Sequence, residues 1–199
     1  MKNEKEKSVF SVTVERIRKL HHMDISSQKA ILAKLRHGIG LIPGEDPNLW
    51  GILFEELPKE MLGRYGKPSK EEWAIYNALT LYALHQQGNE MSTKDMNQKG
   101  ISLGKAASML VQSGDGSDGN RERISRRFNQ IALADDIETL SYYLRTFIPM
   151  LRANKIPLDY PMLANDIFYY QFETSRHQIK LKWGQDFYSL SKEEIEDEK

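Results

Sequence analysis

Residues 69–88, SKEEWAIYNALTLYALHQQG, decide the fold class of this chain. Ser69 and Glu72 form a capping box, which satisfies two free amide groups at the start of a helix. Apolar side chains then recur at helical spacing, at Ile75, Leu79 and Tyr82. Gly88 marks the end of the segment. The stretch therefore predicts a helix with an apolar face, which other helices must cover.

The sequence on both sides repeats this punctuation, with a capping residue before each apolar stripe and glycine or proline after it. Upstream, helices are predicted over 10–21 and 26–36, with left-handed caps at Gly38 and Gly40, and a short third helix starts at Asp46-Pro47. Downstream, residues 89–99 predict an exposed loop. Further helices are predicted over 102–112, 121–133 and 174–189. Two more begin at 135 and 159, and Pro149 should kink the first of these.

No segment alternates apolar and polar residues over the length of a strand, so we predict no strand. The fold class is all-α, a compact helical bundle of about eight or nine helices. We divide the chain into an N-terminal helix with a charged start (1–25), an all-helical domain (26–190) and an acidic tail (191–199). The Gly- and Ser-rich loop at 113–120 is the most flexible-looking segment. It either joins two lobes or lies within one shared core.

The composition limits the function classes. The 199 residues include no Cys, which excludes disulfides and Cys-ligated metal centres. Lys and Arg number 28, and Asp and Glu number 28, so the formal net charge is zero. Nucleic-acid binders usually carry a basic excess, and such a ligand would therefore require charge segregated in space. No secretory or membrane-spanning stretch is evident, and we expect a cytoplasmic protein.

Tests for catalytic and metal motifs all fail. Counted from Asp115, the Gly/Asp loop has glycines at positions that do not fit a calcium loop. Adjacent His21 and His22 diverge on a helix and cannot share a metal, and His37, His85 and His177 are predicted at the surface or an interface. No serine has a nucleophile-elbow context. We predict no catalytic residue, no metal site, no cofactor and no enzymatic activity.

Basic residues are the candidate binding groups. Arg121, Arg123, Arg126 and Arg127 fall within seven residues, and Arg123 and Arg127 share a helix face. Arg145 and Arg152 are two helical turns apart, and Arg176 and Lys180 are one turn apart. Arginine suits phosphate because its planar fork donates two parallel hydrogen bonds. Tyrosines that could stack on bases, although core packing is commoner at this spacing, are Tyr142, Tyr143, Tyr169 and Tyr170. Trp50, Trp183 and Phe187 are predicted in the core.

Several ordered segments resemble one family. Residues 100–106, GISLGKA, resemble a "GISLG-basic-A" segment of the CasB family, the small subunit of the type I-E CRISPR Cascade complex. Residues 125–136 resemble its arginine-pair helix, and Leu144-Arg145 with residues 156–160 resemble its next segment. Arg176, Trp183 and residues 186–188 match its closing pattern, and residues 33–50 match more loosely. Two positions depart from the family pattern. Ser125 stands where an acid commonly precedes the arginine pair. Thr146 stands where a second arginine often follows Arg145, so we expect Arg145 to contribute less to binding than its family counterpart.

The resemblance, which covers roughly residues 30–188, implies an all-helical subunit without catalytic activity. It implies two copies per complex, contacts with the Cascade backbone and large subunits, and a surface that holds CRISPR RNA and the displaced strand of target DNA. We carry over Arg126 and Arg127 as first-rank phosphate-binding candidates from the matching arginine pair. The second-rank candidates are Arg36, Lys105, Arg145, Arg176 and Lys180.

Two alternatives remain open at this point. One is a purely structural scaffold, in which the arginines pair with acids on neighbouring subunits and touch no nucleic acid. The other is a helical regulator that binds duplex DNA through a recognition helix. It would require sequence-specific binding, whereas a Cascade subunit leaves the reading of sequence to the guide RNA.

Overall fold

The computed structural model describes residues 7–113 and 118–196, without the side chains of residues 118 and 190–196. Within these ranges the protein has nine α-helices, two 3-10 turns (Pro47–Leu49 and Lys59–Met61) and no strand. This confirms the all-α prediction. The helices are α1 Val9–His21, α2 Ile25–His37, α3 Trp50–Phe54, α4 Lys70–His85, α5 Leu103–Gln112, α6 Asp118–Ala132, α7 Ile137–Ala153, α8 Tyr160–Tyr170 and α9 Glu173–Glu196.

The helix starts follow from side-chain caps. Ser69 Oγ accepts from the Glu72 amide at 3.0 Å while Glu72 Oε2 accepts from the Ser69 amide at 2.7 Å, which is the predicted capping box. Ser102, Asp136 and Asp159 cap α5, α7 and α8, each through a side-chain oxygen that accepts from one backbone amide of the first turn. Each cap satisfies an amide that has no partner inside the helix.

Helix α4 lies at the centre of the bundle. All residues from Ala74 to Ala83 are buried, so the helix is covered around its whole circumference. It packs against α1, α2, α7 and α8. The prediction of one apolar face therefore understated its burial, and the polar members Asn77 and Thr80 bond to backbone carbonyls one turn earlier.

One hydrophobic core extends through the bundle. Val9 and Leu20 of α1 belong to the same core as Leu151 of α7 and Trp183 of α9. Trp183 and Phe187 are buried as predicted. Helix α9 continues to Glu196, so the helix end predicted at residue 189 and the tail boundary predicted at residue 191 both fall inside it. The Lys and Glu residues of this stretch are good helix formers, which accounts for the continuation.

Several local predictions are wrong. Trp50 is 51% exposed because its indole N–H reaches back to the Gly44 carbonyl (2.7 Å) instead of entering the core. Met91 and Met96 are buried, so residues 89–99 cover the bundle and do not form a fully exposed loop. Gly38 keeps a right-handed φ of −73°, and only Gly40 is left-handed.

Further boundaries differ from the predictions. Helix α6 begins at Asp118, three residues before the predicted start. Of the loop predicted at 113–120, residues 114–117 lie outside the described residues. Helix α7, by contrast, continues through Pro149 to Ala153, in agreement with a helix predicted to extend past that proline.

Candidate nucleic-acid interface

Helices α6 and α7 border a basic groove of about 360 Å³. We call it the α6–α7 groove, and its lining residues are Arg123, Arg126, Arg127, Gln130, Tyr142, Tyr143 and Thr146. Three cations thus line one surface, and none of the described lining residues is a carboxylate. The groove can attract an anion through charge and offer it planar guanidinium donors.

The core-facing residues of α6 explain why these arginines point outward. Ile124, Phe128 and Ile131 are buried, and the Phe128 ring stacks on Phe187 of α9 with centroids 4.9 Å apart. Arg123 directly precedes Ile124, Arg127 directly precedes Phe128, and both arginines are exposed. The first-rank candidates Arg126 and Arg127 therefore share one groove, and Arg123 joins them.

Arg126 has one carboxylate neighbour. Its Nη2 lies 3.0 Å from Glu122 Oε1, one turn earlier on α6, and the two side chains are 70% and 73% exposed. An exposed pair of this spacing stabilises a helix by only about 0.3–0.5 kcal/mol. Phosphate can therefore replace Glu122 as the partner of Arg126 at little cost.

Arg145 lies on the other side of Tyr142. Its guanidinium carbon is 5.4 Å from the centre of the Tyr142 ring, a cation–π arrangement. Arg145 and Tyr142 also line a small cavity of about 70 Å³ beside Gly40 and Glu138. Tyr142 thus borders both the α6–α7 groove and the Arg145 cavity.

Arg36 and Arg152 meet at the last turn of α4. Arg152 Nη1 donates to the Leu84 carbonyl at 3.2 Å and to Gln87 Oε1 at 2.6 Å, while Arg36 Nη1 donates to the Ala83 carbonyl at 3.4 Å. Burial, followed by the charge of Arg152, lowers the pKa of Arg36 below its usual value. Both cations therefore help to cap α4.

Arg123 and Arg152 were not among the seven phosphate-binding candidates predicted from the sequence. The signal was present in the sequence: Arg123 stands four residues before Arg127, and Arg152 stands seven residues after Arg145, so each pair shares a helix face. Of the two, Arg123 lines the α6–α7 groove, whereas Arg152 caps α4.

Arg176 and Lys180 form a different cluster around buried Tyr170. Arg176 Nε donates to the Tyr170 carbonyl at 3.0 Å, and the Arg176 and Lys180 heads lie 5.5 and 5.6 Å from the Tyr170 ring centre. Lys105 is exposed on the first turn of α5 and lines neither the α6–α7 groove nor the Arg145 cavity. The seven candidates are therefore not all gathered into the α6–α7 groove.

The segments that carry the family resemblance contact one another. Gly104 of α5 faces the backbone of Trp183 and Phe187 in α9 so closely that no Cβ would fit. The Gly100 amide donates to Asp159 Oδ2 at 2.8 Å. Gly100 and Gly104 of the family pattern therefore serve packing between helices, whereas its exposed cations remain available to a ligand.

The histidine prediction is corrected at one position. His85 is fully buried, and its Nδ1 lies 2.9 Å from the Tyr160 hydroxyl. Burial lowers the pKa of His85 to about 4, so the ring is neutral near pH 7. Within the described ranges no three His, Asp or Glu side chains are grouped to hold a metal ion. No helix in those ranges is both long and apolar enough to cross a bilayer.

Comparison with known proteins identifies the class. Residues 31–188 match the family described as CRISPR-associated protein Cse2, which places the chain among the CRISPR-associated proteins. The chain belongs to this Cse2 family, also known as CasB, and the predicted membership of the type I-E Cascade small subunits is confirmed. A comparison with curated protein sequences gave no match.

Two solved structures are similar. CasB from Thermobifida fusca shares 28% identity with a TM-score of 0.71, covering 90% of this chain and 97% of that one. CasB from M. ruber shares 24% identity with a TM-score of 0.67, covering 96% of this chain and 98% of that one, and supports the fold. The similarity to the T. fusca protein supports both the family and the fold.

Proposed function

We propose that this Cascade small subunit binds the sugar–phosphate backbone of nucleic acid without reading its sequence, and so stabilises the displaced strand of the R-loop during antiviral defence. The role is non-catalytic and cytoplasmic. Its partners are the Cascade backbone and large subunits, a second copy of the chain, CRISPR RNA and target DNA. The single observation that carries the proposal is the α6–α7 groove with its three arginines.

Overall neutrality is compatible with this role because charge is unevenly distributed. Among the described residues, the charged side chains that line the α6–α7 groove are all cations. A separate groove beside Tyr169 is lined by Glu56, Glu60 and Glu71, with Lys7 as the one cation among its described lining residues. A strand can therefore meet a locally positive surface on a protein whose formal net charge is zero.

The surface that continues from the α6–α7 groove along α7 is long enough for several phosphates, and Arg123 is the cation among its described lining residues. Arg123 also lines a neighbouring groove of about 740 Å³ that reaches Ala153 and Asn154 at the end of α7. From Tyr142 to Ala153 a helix rises about 16 Å. Single-strand phosphates are spaced by a few ångströms, so a backbone segment lying along α7 could contact more than one arginine.

Modest contacts are sufficient for the proposed task. Exchanging a DNA duplex for an RNA–DNA hybrid is nearly balanced in free energy, so a few phosphate contacts on the displaced strand can favour the open state. Contacts to phosphate carry no sequence information, which leaves recognition to the guide RNA.

The test removes Arg126 and Arg127 together by alanine substitution. Binding of a labelled single-stranded oligonucleotide is measured by fluorescence anisotropy across a salt series. We expect weaker binding and a slope of log affinity against log salt that flattens by about 0.7 for each lost phosphate contact. Circular dichroism should show unchanged helix content, since both side chains are exposed.

A matched control removes two other exposed cations, Lys59 and Arg64, which lie outside the α6–α7 groove. This variant changes net charge by the same amount and should bind the oligonucleotide like the wild type. An equal loss in both double variants would mean that only overall charge matters, and an unchanged salt slope in the groove variant would refute these contacts.

The scaffold alternative makes a distinct prediction. If Arg127 pairs with an acid on a neighbouring subunit, Arg127→Glu should be rescued by a charge swap on that subunit, and nucleic-acid binding should be unaffected. The regulator alternative requires that random DNA compete poorly with a specific site. We expect neither result.

A further inference from the structure

Tyr142 leaves an aromatic ring half in solvent at the edge of the basic groove. Its side chain is on α7, where Leu140, Leu144 and Phe147 are fully buried, yet Tyr142 is 54% exposed. Single exposed aromatics are common on protein surfaces, so exposure alone means little. The position of the ring among cations is what requires an explanation.

Cations flank the ring on two sides. Tyr142 lines the α6–α7 groove together with Arg126 and Arg127, and it also borders the cavity that contains Arg145. A backbone that contacts the α6 arginines and Arg145 would have to pass the ring. A nucleotide at that point would bring its base within reach of Tyr142.

The ring is held in place before any ligand arrives. The Arg145 guanidinium lies 5.4 Å from its centroid, and the Tyr143 ring meets it edge-on at 5.6 Å with an interplanar angle of 67°. Buried Leu144 and Phe147 anchor this part of α7 in the core. A pre-positioned ring loses little conformational freedom on binding, so more of the contact energy remains as affinity.

We infer that Tyr142 is a stacking platform for an unpaired base, and that the α6–α7 groove therefore selects single-stranded nucleic acid over duplex. The inference rests on the proposed function and names its ligand class. Stacking tolerates any sequence because every base has a π face. Bases inside a duplex are stacked on each other, and their faces are inaccessible to a side chain.

The experiment compares three ligands of equal length: single-stranded oligothymidylate, the same strand with abasic sites in place of thymidines, and a duplex. Tyr142→Ala should weaken oligothymidylate binding about five-fold or more, the usual range for loss of one stacked base. Binding to the abasic strand and the duplex should be unchanged, since neither offers a free base. Tyr142→Phe keeps the ring and should bind oligothymidylate like the wild type.

The matched control is Tyr169→Ala. Tyr169 is a similarly exposed tyrosine, at 45%, and it lies on α8 away from the α6–α7 groove. Its loss should leave all three affinities unchanged. Thermal melting of each variant verifies that the helical fold persists.

Several outcomes would overturn the inference. Equal weakening on the normal and abasic strands would mean that Tyr142 acts only by positioning Arg145. Unchanged oligothymidylate binding in Tyr142→Ala, with a loss in the Arg126/Arg127 variant, would refute stacking while the proposed function survives. A wild-type protein that binds no single strand would refute both.

Discussion

Ser102 Oγ donates a 2.5 Å hydrogen bond to Asp186 Oδ2 and so joins the start of α5 to α9, 84 residues further along the chain. The same hydroxyl accepts from the Lys105 amide at 3.2 Å and caps α5. One side chain thus caps the start of one helix and links it to another. Gly104, two residues later, permits the close contact between them.

Gly104→Ala should destabilise the protein strongly. An added Cβ would collide with the Trp183 carbonyl oxygen and lie 2.7 Å from Asp186 Cβ. Both atoms belong to α9, whose backbone cannot move away freely. We expect the free energy of unfolding to fall by about 2–3 kcal/mol, measured by urea denaturation. Gly184→Ala is the control, since a Cβ there meets nothing within 4 Å. Equal urea midpoints for the two variants would contradict this account of the α5–α9 contact.

Asp166 is a buried carboxylate, and the stability lost on replacing it should depend on whether the Trp183 indole N–H keeps an acceptor. Its two oxygens accept from Lys182 Nζ and Trp183 Nε1, each at 2.8 Å. Asp166→Ala leaves the buried indole N–H without its acceptor. Asp166→Asn retains an amide oxygen for it. We expect the alanine variant to be less stable than the asparagine variant by about 1–2 kcal/mol in urea denaturation.

The stability difference between Asp166→Asn and the wild type should depend on pH. Burial raises the pKa of Asp166 above its usual value of 3.8, although Lys182 and Trp183 oppose the shift. The folded state therefore disfavours the charge, and this cost appears as pH rises from 3.8 towards the raised value. The stability of Asp166→Asn relative to the wild type should increase over that range and then level off. A flat difference would refute the raised pKa.

His85 should make the protein sensitive to mild acid. Its pKa is about 4 when folded, against an ordinary value of 6.5, so the unfolded chain takes up the proton first. Stability is therefore lost as pH falls below 6.5, by roughly 2–3 kcal/mol between about pH 7.5 and pH 4.5. His85→Gln should lose less over this interval in urea denaturation at each pH. His177→Gln, at an exposed position, should lose as much as the wild type.

Replacing Arg152 should lower stability, whereas replacing Arg127 should leave stability nearly unchanged. Arg152 donates to the Leu84 carbonyl and to Gln87 at the end of α4, whereas Arg127 is exposed in the α6–α7 groove. Arg152→Ala should lower the free energy of unfolding by about 1–2 kcal/mol, because it removes the charged hydrogen bonds to the Leu84 carbonyl and to Gln87. Arg127→Ala should stay within about 0.5 kcal/mol of the wild type. Equal stabilities would mean that Arg152 does not cap α4.

Much of the fold could be predicted because the relevant interactions are local. The capping box at Ser69 and Glu72 and the caps at Ser102, Asp136 and Asp159 involve residues within one turn of each other. Such contacts form wherever the segment is placed. The predictions failed at Trp50 and at Met91 and Met96 because burial there depends on which distant elements cover the segment.

The candidate site was predicted only in part. The pairing of Arg126 with Arg127 follows from adjacency on one helix, and the structure places both in the α6–α7 groove. Arg176 and Lys180 were grouped with them from sequence, although they surround Tyr170 instead. Helical spacing shows which cations share a face of one helix but not which faces of different helices meet.

Residue spacing and capping chemistry predicted most helix starts and the all-α class, since these depend on neighbours a few positions apart. The order of short segments carried the resemblance to the family. Packing between distant helices decided the rest: it buried His85 and Asp166, brought Gly104 against α9 and left Tyr142 exposed between cations of α6 and α7. Burial and electrostatic surroundings arise from residues far apart in the chain, so they exist only once the helices are assembled.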